Sequence, residues 1–361
     1  MPSQFSRARV VGLALLLALS LAPAAWAQNG GKKEDAKKRK PTPDGVPVLW
    51  TEPTDIASRD LFEGPGGASG RPDTSRVTFV RKEEGGFSKK FRVRDGAGRV
   101  WVAKVGKEAQ SETAATRLVW AAGYPAEVTY LVPCVRIGGA PAPKGEEACA
   151  GGGYRNVRFE ARAEGVERLD LWKWDDNPFR GTRELQGLKV MMALVENWDT
   201  KDDNNKVIYY PGAEGGRGEL RYVVSDLGAT FGAADGSSGP VSFFKKIRGS
   251  RNEPGDYARD EFVAGVEGDF VRLEFSGKNA DMLKDIRVAD AAWLGSWLSR
   301  LSDRQIADAF RAANYTDEEI RLLAGEVRER IEELVALGGA PPDQRPTERP
   351  AEQPAGQPAA P

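Results

Sequence analysis

A run of carboxylates and amides set between a helix and a pair of strands constrains this chain more than any other stretch. From Asn197 to Gly228 it reads NWDTKDDNNKVIYYPGAEGGRGELRYVVSDLG. Upstream, Leu185, Leu188, Met192 and Val195 recur three or four residues apart, which lines them up on one helical face. The spacing predicts a helix ending near Asn197, followed by a polar loop with Asp199, Asp202, Asp203, Asn204 and Asn205. Lys206–Tyr210 and Leu220–Val224 read as strands joined by a Gly-rich turn, and the second delivers Ser225, Asp226, Leu227 and Gly228. An aspartate, an amide five residues beyond it and a later aspartate before Leu-Gly suit a metal–phosphate site. A calcium loop counted from Asp199 would need Gly at its sixth position and Glu at its twelfth, where Asn204 and Tyr210 stand.

The chain has no histidine. Ser-His-Asp and Cys-His catalysis, His-ligated zinc and histidine general bases are therefore excluded together. Acid–base chemistry falls to carboxylates, lysine or tyrosine. A metal site would be built from oxygen ligands and suit Mg²⁺, Mn²⁺ or Ca²⁺.

Residues 1–27 have the pattern of a secretory signal: Arg7 and Arg9, an apolar run Val10–Ala22, and Ala25-Trp26-Ala27 before Gln28. The expectation is an exported protein, periplasmic or secreted and soluble after cleavage, with an uncleaved anchor as the alternative. Without that segment, 50 Lys and Arg face 53 Asp and Glu, a net charge of −3. So balanced a chain makes no electrostatic case for nucleic acid as a partner. Residues 28–45 read as a disordered polar linker; its basic run Lys32–Lys40 is either a solvated tether or a contact for an anionic surface. Residues 338–361, rich in Pro and Ala, read as a disordered tail. Between them lies the folded body. Cys134 and Cys149 are the two cysteines, and in an oxidising compartment a bridge between them is favoured over two free thiols.

The first half of the body reads as a small sheet. Val77–Arg81, Phe91–Asp95 and Val100–Val105 are strand candidates; Glu83–Lys90 is a turn containing Gly85, Gly86 and Ser88. Lys104 lies in the third strand, where an outward-facing lysine is the ordinary outcome. By itself the turn is an ordinary hairpin; a Gly-rich turn can also bring backbone N–H groups to phosphate oxygens, with Ser88 and Lys89 adding donors. A helix is predicted over Ser111–Ala122, capped by Ser111, with Glu112 in its first turn. Val128–Ile137 and Tyr154–Ala161 follow as strands.

Lysine on the third strand, glutamate on the next helix, D-x-x-x-x-N after a core helix, then D-x-G: this order resembles the protein-kinase-like superfamily. It is most similar to the atypical branch that includes phosphatidylinositol 3/4-kinases, HipA-type bacterial kinases and secreted Fam20-like kinases. The likeness runs over most of residues 75–335. It implies an α+β, two-lobed protein-kinase-like fold: a small antiparallel β N-lobe with one helix over residues 46–165, and a mainly helical C-lobe over residues 166–337. It also implies ATP, or another nucleoside triphosphate, with Mg²⁺ or Mn²⁺. Lys104 would bind the α/β-phosphates, Glu112 would position it, and Gly85, Gly86, Ser88 and Lys89 would line the phosphates. Asp199 would accept the proton of the acceptor hydroxyl, while Asn204 and Asp226 would hold the metal; Glu160–Gly165 would be the hinge against adenine.

Alternatives sit close to several of these residues. Glu108 competes with Glu112, Asn205 with Asn204, and Asp202 or Asp203 with Asp199. Neither His nor Arg stands beside Asp199, and Asn197-Trp198-Asp199 is nearer to the N-x-D form of HipA-type enzymes. Phe231–Asp260 carries Phe243, Phe244, Lys245, Lys246, Arg248 and Arg251, either an activation-type segment facing an acidic or phosphate-bearing substrate or a solvated loop. Ser302…Gln305 and Thr316…Glu319 are capping-box patterns, and Ile320, Leu323, Val327, Ile331 and Leu334 form an apolar stripe. Two functions follow from the resemblance: an exported phosphotransferase acting on a hydroxyl of a protein, lipid or sugar, or a pseudokinase serving as a binding or scaffold module in the cell envelope.

Overall fold

The computed structural model describes residues 43–84, 88–212, 216–233, 250–259 and 261–339. The signal-like segment, most of the linker and tail, Gly85 and Gly86, and the basic stretch from Phe243 to Arg248 lie outside them. In chain order, the first strands are β1 (Gly45–Val48), β2 (Val77–Glu83), β3 (Lys89–Arg94) and β4 (Val100–Val105). Helix α1 (Glu108–Ala121) follows, then β5 (Thr129–Val135), β6 (Ile137–Gly138), β7 (Ala148–Cys149) and β8 (Gly153–Ala161). The second part begins with β9 (Glu167–Arg168), α2 (Arg183–Leu194), β10 (Asn205–Tyr210) and β11 (Gly218–Val224). It ends with α3 (Pro254–Tyr257), β12 (Val263–Glu267), β13 (Phe270–Leu273), α4 (Val288–Leu298), α5 (Asp303–Arg311) and α6 (Asp317–Leu337).

A seven-stranded sheet in the order β5-β8-β4-β3-β2-β6, with β7 on β8, forms the first lobe. Its neighbours are antiparallel except the β2–β6 pair. Side chains alternate across a strand, so β4 sends Trp101, Ala103 and Val105 to one face, where they join Phe91, Val93, Val157 and Phe159 in a buried apolar core. The opposite face receives Lys104 and, on β8, its register partner Arg158. Helix α1 lies against β4, β5 and β8. Its Ala114, Ala115, Leu118 and Val119 merge with a second, larger core built by the helices. Cys134 and Cys149 form a disulfide beside β8.

Expected and observed helix starts differ here. Gly106, at φ +117°, turns the chain out of β4 in a conformation that disfavours side chains, so α1 begins at Glu108 rather than Ser111. Ser111 is therefore no cap: it is buried inside the helix, and its hydroxyl donates to the Gly228 carbonyl at 3.0 Å.

In the second lobe, the stripe Ile320, Leu323, Val327, Ile331 and Leu334 of α6 is buried against Leu294, Leu298, Ile306 and Phe310. Both capping boxes are formed, from Ser302 and from Thr316. The lobe also carries a four-stranded sheet, β1-β11-β10-β9, and the β12–β13 hairpin. Strand β1, at the start of the stretch expected in the first lobe, pairs in parallel with β11 of the second. The α+β layout of a sheet-and-helix lobe and a mainly helical lobe is the one expected from the sequence. Among the described residues, no helix is long and apolar enough to cross a membrane.

Candidate active site

Helix α2 ends where its amphipathic pattern ends, and the loop beyond it is fixed by its own polar groups. Asn204 donates from Nδ2 to the Asp199 carbonyl at 2.5 Å and to Asp199 Oδ2 at 3.3 Å. Lys201 lies 3.1 Å from Asp199 Oδ1. The Trp174 indole and the Asn279 amide both donate to the Thr200 carbonyl, at 2.9 and 3.0 Å, pinning the loop to two neighbouring segments. Asn205 turns the other way: it is buried and donates to the Trp172 carbonyl at 3.2 Å. Asn204 is thus the amide at the loop's open side. Asp202 accepts from the Trp174 backbone at 3.3 Å and borders a cavity of about 500 Å³ shared with Arg180, Lys189, Asp281 and Asp285.

Strand β11 brings Asp226 to the same region. Its Oδ1 accepts from the Gly228 backbone at 3.2 Å and lies 3.5 Å from the Lys104 ammonium. Lys104 is 2% exposed, so the outward-facing alternative does not apply. Its Nζ sits 2.7 Å from Glu112 Oε2 and 2.9 Å from Glu108 Oε2, so both candidate glutamates hold it. Glu112 reaches Arg158 with its other oxygen, at 3.2 Å.

Burial alone would push the Lys104 ammonium toward neutrality, but Glu112, Asp226 and Glu108 outweigh it and hold the pKa above its ordinary value. Burial likewise pushes the carboxyls of Glu108 and Asp226 up, and the Lys104 charge overcomes it, leaving both below the usual carboxylate range. Glu112 goes the other way: burial pushes its carboxyl up, against the pull of Arg158 and Lys104.

Ser88 donates to Glu108 and so belongs to this cluster. Lys89 does not. Its ammonium pairs with Glu147 and lies 5.9 Å from the Tyr154 ring. Strand register explains the difference, because Lys90 and not Lys89 stands opposite Lys104. Glu160, at the expected hinge, is occupied by the guanidiniums of Arg158, Arg162 and Arg168. A cavity of about 90 Å³ lies beside that segment, lined by Val128, Ala163, Val166 and Ile208.

Two participants went unnoticed as site residues in the sequence. Arg158 was readable only as one residue of a strand; the antiparallel register puts it across from Lys104. Arg251 was grouped with a basic stretch, yet its guanidinium pairs with Glu108 and lies 5.0 Å from the Trp198 ring.

Among the described residues, no group of three or more Asp, Glu or Cys converges as a cation cage. Asp226 Oδ2 and Asn204 Oδ1 accept no hydrogen bond from a described residue, which leaves an oxygen on each for a hard cation. That donor set fits Mg²⁺ or Mn²⁺ held by one or two protein oxygens together with substrate phosphates and water.

No protein-family model matches the chain, and no curated protein matches it. Among solved structures, the chain is similar to the Helicobacter pylori proinflammatory kinase CtkA, at 13% identity and a TM-score of 0.43, covering 72% of this chain and 96% of that one.

Proposed function

We propose that the protein is a kinase-like phosphotransferase, moving a phosphoryl group from a nucleoside triphosphate to a hydroxyl acceptor with Mg²⁺ or Mn²⁺. The observation that carries this reading is the buried Lys104–Glu112 pair at 2.7 Å, set 3.5 Å from Asp226. A lysine ammonium fixed by glutamate and aimed at an aspartate is a receptor for metal-bound phosphate. In this reading Lys104 binds phosphate oxygens, Asp226 and Asn204 hold the cation, and Asp199 accepts the acceptor's proton. When bound, the cation neutralises developing charge on the phosphates. Positioning and charge neutralisation are most of what phosphoryl transfer requires of a protein. Asn197 ahead of Asp199, with no neighbouring His or Arg, supports a place in the atypical branch.

Action outside the cytoplasm is part of the proposal, supported by the signal-like segment and by the Cys134–Cys149 disulfide. So is the division into lobes near residue 165.

The test is nucleotide binding and γ-phosphate label transfer by purified protein with Mn²⁺ or Mg²⁺, beside Asp226→Ala and Asp199→Asn. Metal-dependent transfer abolished by both substitutions supports the reading. Binding without transfer points to a pseudokinase, and neither binding nor transfer removes the proposal.

A further inference from the structure

Three groups suited to anions converge on one carboxylate. Glu108 receives the Ser88 hydroxyl, lies 2.9 Å from the Lys104 ammonium, and pairs with the Arg251 guanidinium. These groups come from three separate places: the residue just before β3, the C-terminal end of β4, and the segment leading into α3. Lys104 has two further carboxylate partners, buried Glu112 at 2.7 Å and Asp226 at 3.5 Å, so Glu108 is not its only counter-charge. Glu108 instead occupies the point that Ser88, Lys104 and Arg251 share.

The placement of Arg251 is built rather than incidental. The segment carrying it is laced to the chain just beyond Asp226. Asn252 and Glu253 donate from their backbones to Thr230 and Phe231 at 3.0 and 2.8 Å, and the Ala233 backbone donates to the Ser250 hydroxyl at 2.8 Å. The Trp198 indole donates to the Ser250 carbonyl at 2.8 Å, and the guanidinium rests 5.0 Å from the same ring. Arg251 therefore joins the turn that precedes Asp199 to the first turn of α1. Gly228 completes the fit: a Cβ there would lie 2.9 Å from Glu108 Cβ and 3.1 Å from Lys104 Nζ.

We infer that Glu108 is an internal plug of the phosphate site, and that Arg251 is a phosphate-binding residue which the plug occupies until a polyphosphate takes its place. The inference rests on the proposed phosphotransferase reading for its ligand class, but it concerns binding alone. A carboxylate and a phosphate chain cannot share one set of donors without strong like-charge repulsion. Entry of the polyphosphate therefore requires the Glu108 side chain to withdraw, so that the donors of Ser88, Lys104 and Arg251 that it receives turn to phosphate oxygens. Lys104 remains anchored by Glu112 throughout. The plug sets an affinity cost on every polyphosphate, so a partner that drew Glu108 away would raise nucleotide affinity with no change at the cation site.

The experiment is equilibrium binding of inorganic tripolyphosphate, by calorimetry, to full-length wild type and to Glu108→Gln, Glu108→Asp, Arg251→Ala and Arg251→Lys. Glu108→Gln removes the charge and keeps the shape, so affinity should rise on the order of tenfold. Glu108→Asp keeps the charge but shortens the reach, and should give a smaller rise. Arg251→Ala should lose about as much as Glu108→Gln gains, with partial recovery in Arg251→Lys. Cooperative thermal unfolding of each variant guards against misfolding. Unchanged or weaker binding by a folded Glu108→Gln overturns the plug, as does no binding by any of the proteins. Binding by Arg251→Ala equal to wild type overturns the role of Arg251. Phosphoryl transfer enters none of these measurements. A protein that transfers nothing yet shows this pattern keeps the inference and loses the phosphotransferase reading, and the converse result separates them the other way.

Discussion

Lys104 and Arg158 face each other across the β4–β8 ladder, and a single carboxylate, Glu112, reaches both, at 2.7 and 3.2 Å. Neither cation has water to fall back on. Removing one partner of such a buried set strands the other's charge, which typically costs about 3–5 kcal/mol. Lys104→Met is expected to lower unfolding free energy by about that much and to abolish nucleotide binding. Urea denaturation reads the first effect and nucleotide titration the second.

Asp199 is held from one side by Asn204 at 3.3 Å, on a loop pinned through Thr200. A general base contributes about 10²–10⁴-fold to rate. Asp199→Asn should reduce label transfer by about that factor while leaving nucleotide affinity within about twofold of wild type. Comparable losses in both would show that Asp199 binds rather than reacts.

Gly228 has no room for a side chain, since its Cβ would stand 2.9 Å from Glu108 Cβ. Gly228→Ala is expected to destabilise by about 1–3 kcal/mol, as overpacking does, and to displace the first turn of α1. Hydrogen exchange of the Glu108–Glu112 amides would report the displacement, and unchanged protection there would refute it.

Acid should weaken the fold through Glu108 and Asp226, while Glu112, whose carboxyl burial pushes up, acts in the opposite sense. Lys104 holds the Glu108 and Asp226 carboxyls below their ordinary values against the effect of burial. A group depressed on folding contributes stability that is complete above its unfolded pKa, about 4.3 for Glu and 3.9 for Asp. That contribution disappears as pH falls through the folded values. Lys104 acts at the other end: its pKa is raised, so its contribution is complete below its unfolded value of about 10.4 and is lost as pH rises through the folded one. Urea midpoints measured between about pH 3 and 7 should fall more steeply for wild type than for Glu108→Gln. Parallel curves would mean that Glu108 does not titrate with folding.

The Cys134–Cys149 bridge closes a sequence separation of 15 residues beside β8. Loop-closure entropy assigns such a bridge about 3 kcal/mol. Replacing both cysteines by serine should lower unfolding free energy by about that amount, and dithiothreitol should do the same to wild type and nothing to the variant.

Much of the fold was legible because its signals are local. The α2 and α6 stripes, both capping boxes and the Val100–Val105 strand match the periods of helix and strand, and local patterns survive packing. The start of α1 was misplaced because Ser111 has a cap's chemistry, whereas its hydroxyl serves a tertiary bond to Gly228. Lys89 stands apart from the cluster because a one-residue change of register moves a strand side chain to the other face, and register depends on the partner strand.

The amino-acid order alone determined which groups could do chemistry: no histidine, a strand lysine, glutamates at the following helix, and Asp199, Asn204 and Asp226 in sequence. It determined these because residue type and spacing are properties of the chain itself. Only the tertiary structure decided which of them meet. It chose Asn204 over Asn205 for the open side of the loop, shared Lys104 between two glutamates, and brought Arg158 and Arg251 into the cluster. Those choices depend on contacts between residues up to 143 positions apart. Sheet register and the joining of the two cores set them, and neither is carried by a local pattern.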